Sequence, residues 1–332
     1  MRDPSIALIG NGWWGRNIGR NLHQLGALSA VVDCAPENLA KAEESFPGAA
    51  LHRDFAGVLG DPACRAVAIA TPALTHATLV MEALRAGKDV FVEKPLALSV
   101  EEGRGLVEEA RRRRKILMVG HLLQYHPAVT KLGEIVRGGK LGTLRYIYSN
   151  RLNLGKVRRE ENILWSFAPH DIDVILLLAG RMPRKVLAVG ASYLQPSVAD
   201  TTLSTLFFEN ELQAHVYVSW LHPFKDQRLV VIGSDAMAVF DDVRAEHKLV
   251  LHNGKVEIEE GKPIVVTQSP AVPVPFEGGE PLRAEMEHFI ACVRERLEPR
   301  TDGTVGLRVL SVLQACQSSM GRGGAIVKVE EI

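Results

Sequence analysis

The chain has 332 residues, with 39 Lys plus Arg balanced by 39 Asp plus Glu, 46% hydrophobic and 6% aromatic residues, an ordinary globular composition. This length suggests two domains, each able to bury a core without disulfides or metal. Zero net charge excludes a polybasic nucleic-acid binder, whose affinity rests on phosphate neutralisation. Cys34, Cys64, Cys292 and Cys316 form no C-x-x-C pair, which fits neither a disulfide framework nor a zinc ribbon and points to a reducing, cytoplasmic setting. The apolar run after Met1 is too short for a signal-peptide core. No stretch approaches the roughly 20 apolar residues of a bilayer span, so no membrane partner is expected.

From residue 5 to about 120, β-branched runs at 6–9, 30–32, 66–70, 90–92 and 116–119 alternate with helical periodicity at 16–25, 37–45, 75–86 and 99–114. This repetition predicts a doubly wound parallel sheet covered on both faces. Ser99 and Glu102 have capping-box spacing, and the basic run 111–115 then complements the helix dipole in solvent. Beyond 122 come a helix at 126–137 and strands that alternate apolar and polar residues, around 146–154, 203–208 and 212–218 and near Leu229, Ala238 and Leu249. They predict a large, mostly antiparallel open sheet. The Pro-rich stretch 263–281 reads as a loop, and helices at 282–296 and 303–320 close the chain. The expected division is 1–121 for the doubly wound unit and 122–332 for the unit with the open sheet.

Gly10-Asn11-Gly12-Trp13-Trp14-Gly15 follows the first strand and opens the first helix. In that setting Gly10 permits the turn, Gly12 admits a pyrophosphate, and Gly15 lets helix and strand pack closely. Asp33 ends the second strand, where a carboxylate accepts both adenosine ribose hydroxyls and repels a 2′-phosphate. Cys34 and Ala35 follow it, so NAD is expected over NADP. Thr71-Pro72 and Glu93-Lys94-Pro95 end two further strands at the edge where such sheets bind ligands. Lys94 there could hold a substrate hydroxyl or merely pair with Glu93. His121 and His126 lack a third ligand at metal-site spacing, and no metal is expected.

Together, Gly-x-Gly-x-Trp-Gly at 10–15, Thr71-Pro72 with His76, and Gly87-Lys88-Asp89-Val90-Phe91-Val92-Glu93-Lys94-Pro95 resemble the glucose-fructose oxidoreductase, inositol dehydrogenase and MocA family. The resemblance spans the whole chain. It implies a Rossmann domain followed by an α/β domain whose open sheet often forms the interface of a homo-oligomer, a dimer or tetramer. It also implies a cofactor site of Gly10, Gly12, Trp13, Trp14, Gly15, Asp33, Thr71, Pro72, His76, Glu93 and Lys94. The family's catalytic lysine corresponds to Lys94 and its histidine to His170, in Trp165-Ser166-Phe167-Ala168-Pro169-His170-Asp171-Ile172-Asp173. That segment reads as preceding an apolar helix, whose N-terminus would disfavour the charged imidazole. Ser166 stands where many relatives carry an aspartate. Asp171 and Asp173 are assigned support at most.

Residues 150–166 and Ser219-Trp220-Leu221-His222-Pro223-Phe224-Lys225 are similar to a narrower branch, the nucleotide-sugar 3-dehydrogenases acting on UDP-N-acetylglucosamine or its uronate. The resemblance implies NAD-dependent oxidation of the sugar 3-hydroxyl, usually ahead of an aminotransferase. An acyltransferase, fused in some relatives, would be a separate partner here. Arg158, Arg159 and Lys225 are candidates for the diphosphate or uronate, with Trp165 and His222 beside them. Two other readings stand: the same chemistry on a free cyclitol or monosaccharide, and a dinucleotide-binding regulator without turnover.

Overall fold

The computed structural model describes residues 5–155 and 157–332. The chain forms two compact units, one of residues 1–125, 279–310 and 332, the other of 126–278 and 311–331. In the first, β1 (Ile6–Ile9), α1 (Gly15–Gln24), β2 (Leu28–Val32), α2 (Pro36–Ser45), β3 (Ala50–His52), α3 (Ala56–Leu59), β4 (Ala66–Ile69), α4 (His76–Arg85), β5 (Asp89–Glu93), α5 (Val100–Arg113) and β6 (Leu117–Gly120) follow in order. All six strands pair in parallel, in the order β3-β2-β1-β4-β5-β6. The four residues of β1 and of β4 are all buried, which is why they read as continuous apolar runs. Ser99 caps α5 by accepting from the Glu102 amide at 3.2 Å. At its far end Arg112 and Arg113 turn back onto the single carboxylate of Glu109.

The boundary is not a single cut after 121. Residues 122–125 and the later helix α8 (Pro281–Glu295) pack with the first unit. The reason is hydrophobic: Leu282, Met286, Phe289 and Val293, spaced at three and four, enter the same core as Ile6, Leu8, Phe91 and Met118. Phe289 lies 5.7 Å from Phe91, ring centre to ring centre. The amide of Val119 donates to Thr301 O at 2.8 Å. The first half of α9 (Gly303–Gly321) comes so near β6 that a Cβ at Gly306 would sit 2.6 Å from Val119 Cγ2.

The second unit contains α6 (Pro127–Arg137), β7 (Leu144–Leu152), α7 (Ile163–Ala179), β8 (Lys185–Ala191), β9 (Thr201–Phe207), β10 (Gln213–Ser219), β11 (Asp226–Gly233), β12 (Met237–Asp241), β13 (Leu249–His252), β14 (Lys255–Glu257), β15 (Val265–Thr267), β16 (Val272–Pro273) and β17 (Val327–Lys328). Nine strands make one sheet, β16-β13-β12-β11-β7-β10-β9-β8-β17, antiparallel except where β7 pairs with β10. The stretch 263–281, expected as a loop, contains β15 and β16, strands too short to carry a period of two. Register aligns Val186, Leu206, Ala214 and Ile147 on one face, and all four are buried. The opposite face aligns Val189, Leu203, Tyr217 and Asn150. Val189 and Leu203 are 44% and 46% exposed there. Among the described residues no helix is long and apolar enough to cross a membrane.

Phe289→Ala should cost about 3–5 kcal/mol of stability, whereas Lys225→Ala should stay within about 0.5 kcal/mol. Urea unfolding curves of the two variants beside the parent check the assignment of α8 to the first unit's core.

Candidate active site

The loop after β1 shows what each glycine does. Gly10 adopts φ +94°, and a Cβ there would lie 2.9 Å from Ala70 O, so only glycine fits the turn. A Cβ at Gly15 would run into the Gly10 carbonyl oxygen. Gly15 therefore closes the turn on itself, a tighter constraint than the expected helix–strand packing. Around Gly12 a Cβ would find no atom within 4 Å, leaving open space at the N-terminus of α1, where backbone amides favour an anion. Asp33, buried at the end of β2, accepts from the amides of Asn11 at 2.7 Å and Ala35 at 2.9 Å, and from Asn38 Nδ2 at 3.1 Å. Asn11 Nδ2 donates to Asn38 O at 2.7 Å, so the carboxylate is aimed by three donors on two segments. A glycine cradle, a helix N-terminus and an oriented carboxylate suit a dinucleotide.

The next strand ends are tied together. His76 is buried, with Nδ1 2.7 Å from Pro95 O and Nε2 2.9 Å from Thr71 O. The imidazole thus spans the backbone after β4 and the backbone after β5, with both ring nitrogens engaged by protein. Trp13 is 75% exposed and tilted against Trp14. Trp14 Nε1 donates to Glu93 Oε1, joining the glycine loop to the end of β5. The Glu93 carboxyl leans over Gly120, where a Cβ would stand 3.1 Å from its Cδ. Burial pushes the Glu93 carboxyl up to about 7, against the Trp14 hydrogen bond and the Lys94 ammonium, which favour ionisation. His121, just beyond β6, is pulled down to about 3 by burial, with Lys94 adding to the shift. Its imidazole is neutral near neutral pH. The Lys94–Pro95 peptide bond is cis.

In the second unit the helix carrying His170 begins earlier than expected. Asn162 caps α7 by accepting from the Trp165 amide at 3.3 Å, which places His170 eight residues into the helix, immediately after Pro169. The expected helix-dipole effect on the imidazole does not apply there, because it fades within the first turn. Ser166, His170 and Asp173 share one helical stripe, Ser166 and Asp173 being buried. Asp171 turns away from it, to accept from Ser149 Oγ and, at 2.7 Å, from Arg151 Nε. This largely buried ion pair fastens α7 to β7.

The candidate anion and sugar residues are placed less decisively. Arg158 is exposed and pairs with Glu161 at 3.0 Å, while Arg159 and Lys225 are exposed. Trp165 Nε1 donates to Gln317 Oε1 at 3.1 Å. His222 Nδ1 lies 2.8 Å from Phe224 O, its ring edge-on to Phe224. Sequence reasoning missed Asn38, Arg151 and Gln317 as positioning side chains. Only Asn38, five residues after Asp33, carried a local signal, as an amide within reach of the Asp33 carboxylate.

Residues 5–121 match an oxidoreductase family with an NAD-binding Rossmann fold, and residues 129–239 match the GFO/IDH/MocA C-terminal domain. D-apiose dehydrogenase of Paraburkholderia graminis is 27% identical, over 96% of this chain and 88% of its own. UDP-N-acetylglucosamine 3-dehydrogenase of Acidithiobacillus ferrooxidans is 29% identical over 74% of this chain and 75% of its own. Its solved structure superposes with a TM-score of 0.83 at 25% identity, covering 97% of this chain and 99% of that one. The scyllo-inositol 2-dehydrogenase (NAD(+)) of Bacillus subtilis is 27% identical over 76% of this chain and 75% of its own. The two family matches together span more than two-thirds of the sequence, and the chain belongs to the GFO/IDH/MocA family of NAD-binding oxidoreductases.

Proposed function

We propose that the protein is a cytoplasmic enzyme that oxidises the 3-hydroxyl of a UDP-N-acetylhexosamine, or of its uronate, to a ketone. The observation that carries this reading is the similarity to UDP-N-acetylglucosamine 3-dehydrogenase across 97% of the chain at a TM-score of 0.83. When bound, nicotinamide supplies the hydride acceptor. Gly10, Gly12, Gly15 and Asp33 hold the dinucleotide, Asp33 at its adenosine ribose. Lys94 hydrogen-bonds the reacting hydroxyl and stabilises negative charge on its oxygen. His170 takes its proton as general base. Arg158, Arg159 and Lys225 supply cations for the diphosphate or uronate, with Trp165 and His222 beside the sugar. The ketone suits transamination by a partner enzyme. The exposed Val189, Leu203 and Tyr146 on the open sheet support self-association, which would remove their apolar surface from water.

A second reading, oxidation of a free sugar or cyclitol, draws on the D-apiose dehydrogenase similarity over 96% of the chain and on the Arg158–Glu161 pair, which an anionic substrate must displace. Reduced-nicotinamide absorbance with NAD and UDP-N-acetylglucosamine, its uronate, D-apiose, glucose and myo-inositol, alongside an external oxidant control, separates the two. Signal confined to the UDP sugars is expected, and signal confined to free sugars overturns the nucleotide-sugar reading.

Lys94→Ala and His170→Ala should each lower kcat about 10²–10⁴-fold without comparable loss of NAD affinity. Asp33→Ala should lower kcat/KM for NAD about tenfold or more, the worth of charged hydrogen bonds, while NADP improves. Steady-state kinetics with both cofactors checks these outcomes. Leu203→Asp should lower the oligomeric mass in sedimentation, because a carboxylate on the packed face would be buried without a partner.

A further inference from the structure

We infer that the connection between β8 and β9, residues 192–200, is a further part of the substrate site, and that Asp200 is the positioning residue that holds it in shape so that Tyr193 meets the nucleotide end of the substrate. The inference rests on the reading of the substrate as a nucleotide sugar.

Sheet register brings this connection to the other candidate residues. Ala191, Thr201, Ser219, Leu152 and Asp226 are successive cross-strand partners on β8, β9, β10, β7 and β11, so the connections leaving that row share one rim of the second unit. Two of them carry Arg158, Arg159, His222 and Lys225. The third, 192–200, is fastened to both and to the helix that bears His170. Gln195 Nε2 donates to Arg158 O at 2.8 Å. The Ile163 amide at the start of α7 donates to Ala199 O at 3.0 Å, and the Trp220 amide to Asp200 O at 3.2 Å.

One carboxylate gives the loop its shape. Asp200 is fully buried. One of its oxygens accepts from the amides of Tyr193 at 2.6 Å and Leu194 at 2.8 Å, and the other from Trp220 Nε1 at 2.6 Å. Further along, the Val198 amide donates to Gln195 O at 3.3 Å across a turn that holds Ser197 at φ +66°, a left-handed conformation uncommon for serine. Burying a carboxylate adds little net stability after desolvation, but it specifies one arrangement. That arrangement leaves the loop's two large apolar side chains in solvent, Tyr193 72% and Leu194 51% exposed. A fixed backbone displaying a stiff aromatic side chain is preorganised for a ligand contact. Arg158, Arg159 and Lys225 stand on the same rim, and an aromatic face beside cations complements a nucleotide, whose flat base is joined to phosphates.

UDP, which carries no reacting sugar, is the probe. Its affinity for the full chain, measured by calorimetry, should fall about tenfold in Tyr193→Ala, the worth of stacking one base on an aromatic ring, and recover in Tyr193→Phe. Asp200→Asn should weaken UDP similarly, because an amide has one acceptor oxygen and turns a donor toward either the indole or the two backbone amides. Peptides covering 192–199 should then exchange their amide hydrogens faster than in the parent. On UDP-N-acetylglucosamine, Tyr193→Ala and Asp200→Asn should raise KM about tenfold while kcat holds, the mark of lost binding rather than lost chemistry. Trp220→Phe, which removes one donor and spares the carboxylate, makes the same comparison if Asp200→Asn fails to fold. Unchanged UDP affinity in Tyr193→Ala overturns the inference, as does parental exchange of 192–199 in Asp200→Asn or a fall in kcat with KM unchanged. A parent that does not bind UDP overturns the nucleotide-sugar reading and the inference with it, whereas a parent that binds UDP as well as its variants do overturns the inference alone.

Discussion

The common direction of the six parallel strands is the constraint on which the nucleotide-binding unit depends. Parallel pairing brings the ends of β1, β2, β4, β5 and β6 to one edge, so Gly10, Asp33, Thr71, Lys94 and His121 gather there although 111 positions separate the first from the last. The order β3-β2-β1-β4-β5-β6 places β1 and β4 side by side with their connections running opposite ways, the crevice where such sheets receive ligands. Three polar ties then turn independent loop tips into one edge. Asn11 and Asn38 are bound to Asp33, His76 joins the ends of β4 and β5, and Trp14 joins the glycine loop to Glu93.

His170 is positioned by different means. Its helix presents an apolar side to the sheet, and the Arg151–Asp171 pair fixes its setting on β7. Such a pair adds little net stability after desolvation. It does, however, define one arrangement: sliding the helix by a residue would part Asp171 from both Ser149 and Arg151. Pro169 forfeits a helical hydrogen bond one residue before His170, and this polar anchor lies within the same turn.

The sequence was most legible where burial imposes a pattern. Five of six parallel strands stand out because they are buried on both faces, whereas β3 has three partly covered residues and no readable period. Helices with a sequence-local cap, such as Ser99 before α5, were placed to within a residue or so. The start of α7 was missed because Asn162 lies in a polar run whose capping role depends on the fold around it. The return of α8 into the first unit was illegible for the same reason: its apolar spacing reveals a buried face and says nothing of which core receives it. At the site, the glycines and Asp33 are marked by local geometry. The ties made by Trp14 and His76 are not, since their partners Glu93 and Pro95 lie 79 and 19 positions away.

Two carboxyl groups on that edge show how one sheet supports two kinds of task. Asp33 meets three protein donors, two of them backbone amides, so its orientation is fixed before any ligand arrives. Glu93 has the indole and the Lys94 amide as donors, and it packs over Gly120 in a space that a single methyl group would invade. A group so lightly solvated changes charge with a modest change in its surroundings. The first arrangement suits recognition, which needs a constant acceptor. The second leaves a carboxyl whose charge responds to its surroundings. The glycine at 120 favours the second, because a Cβ there would press on the carboxyl at 3.1 Å and on Phe91 at the same distance.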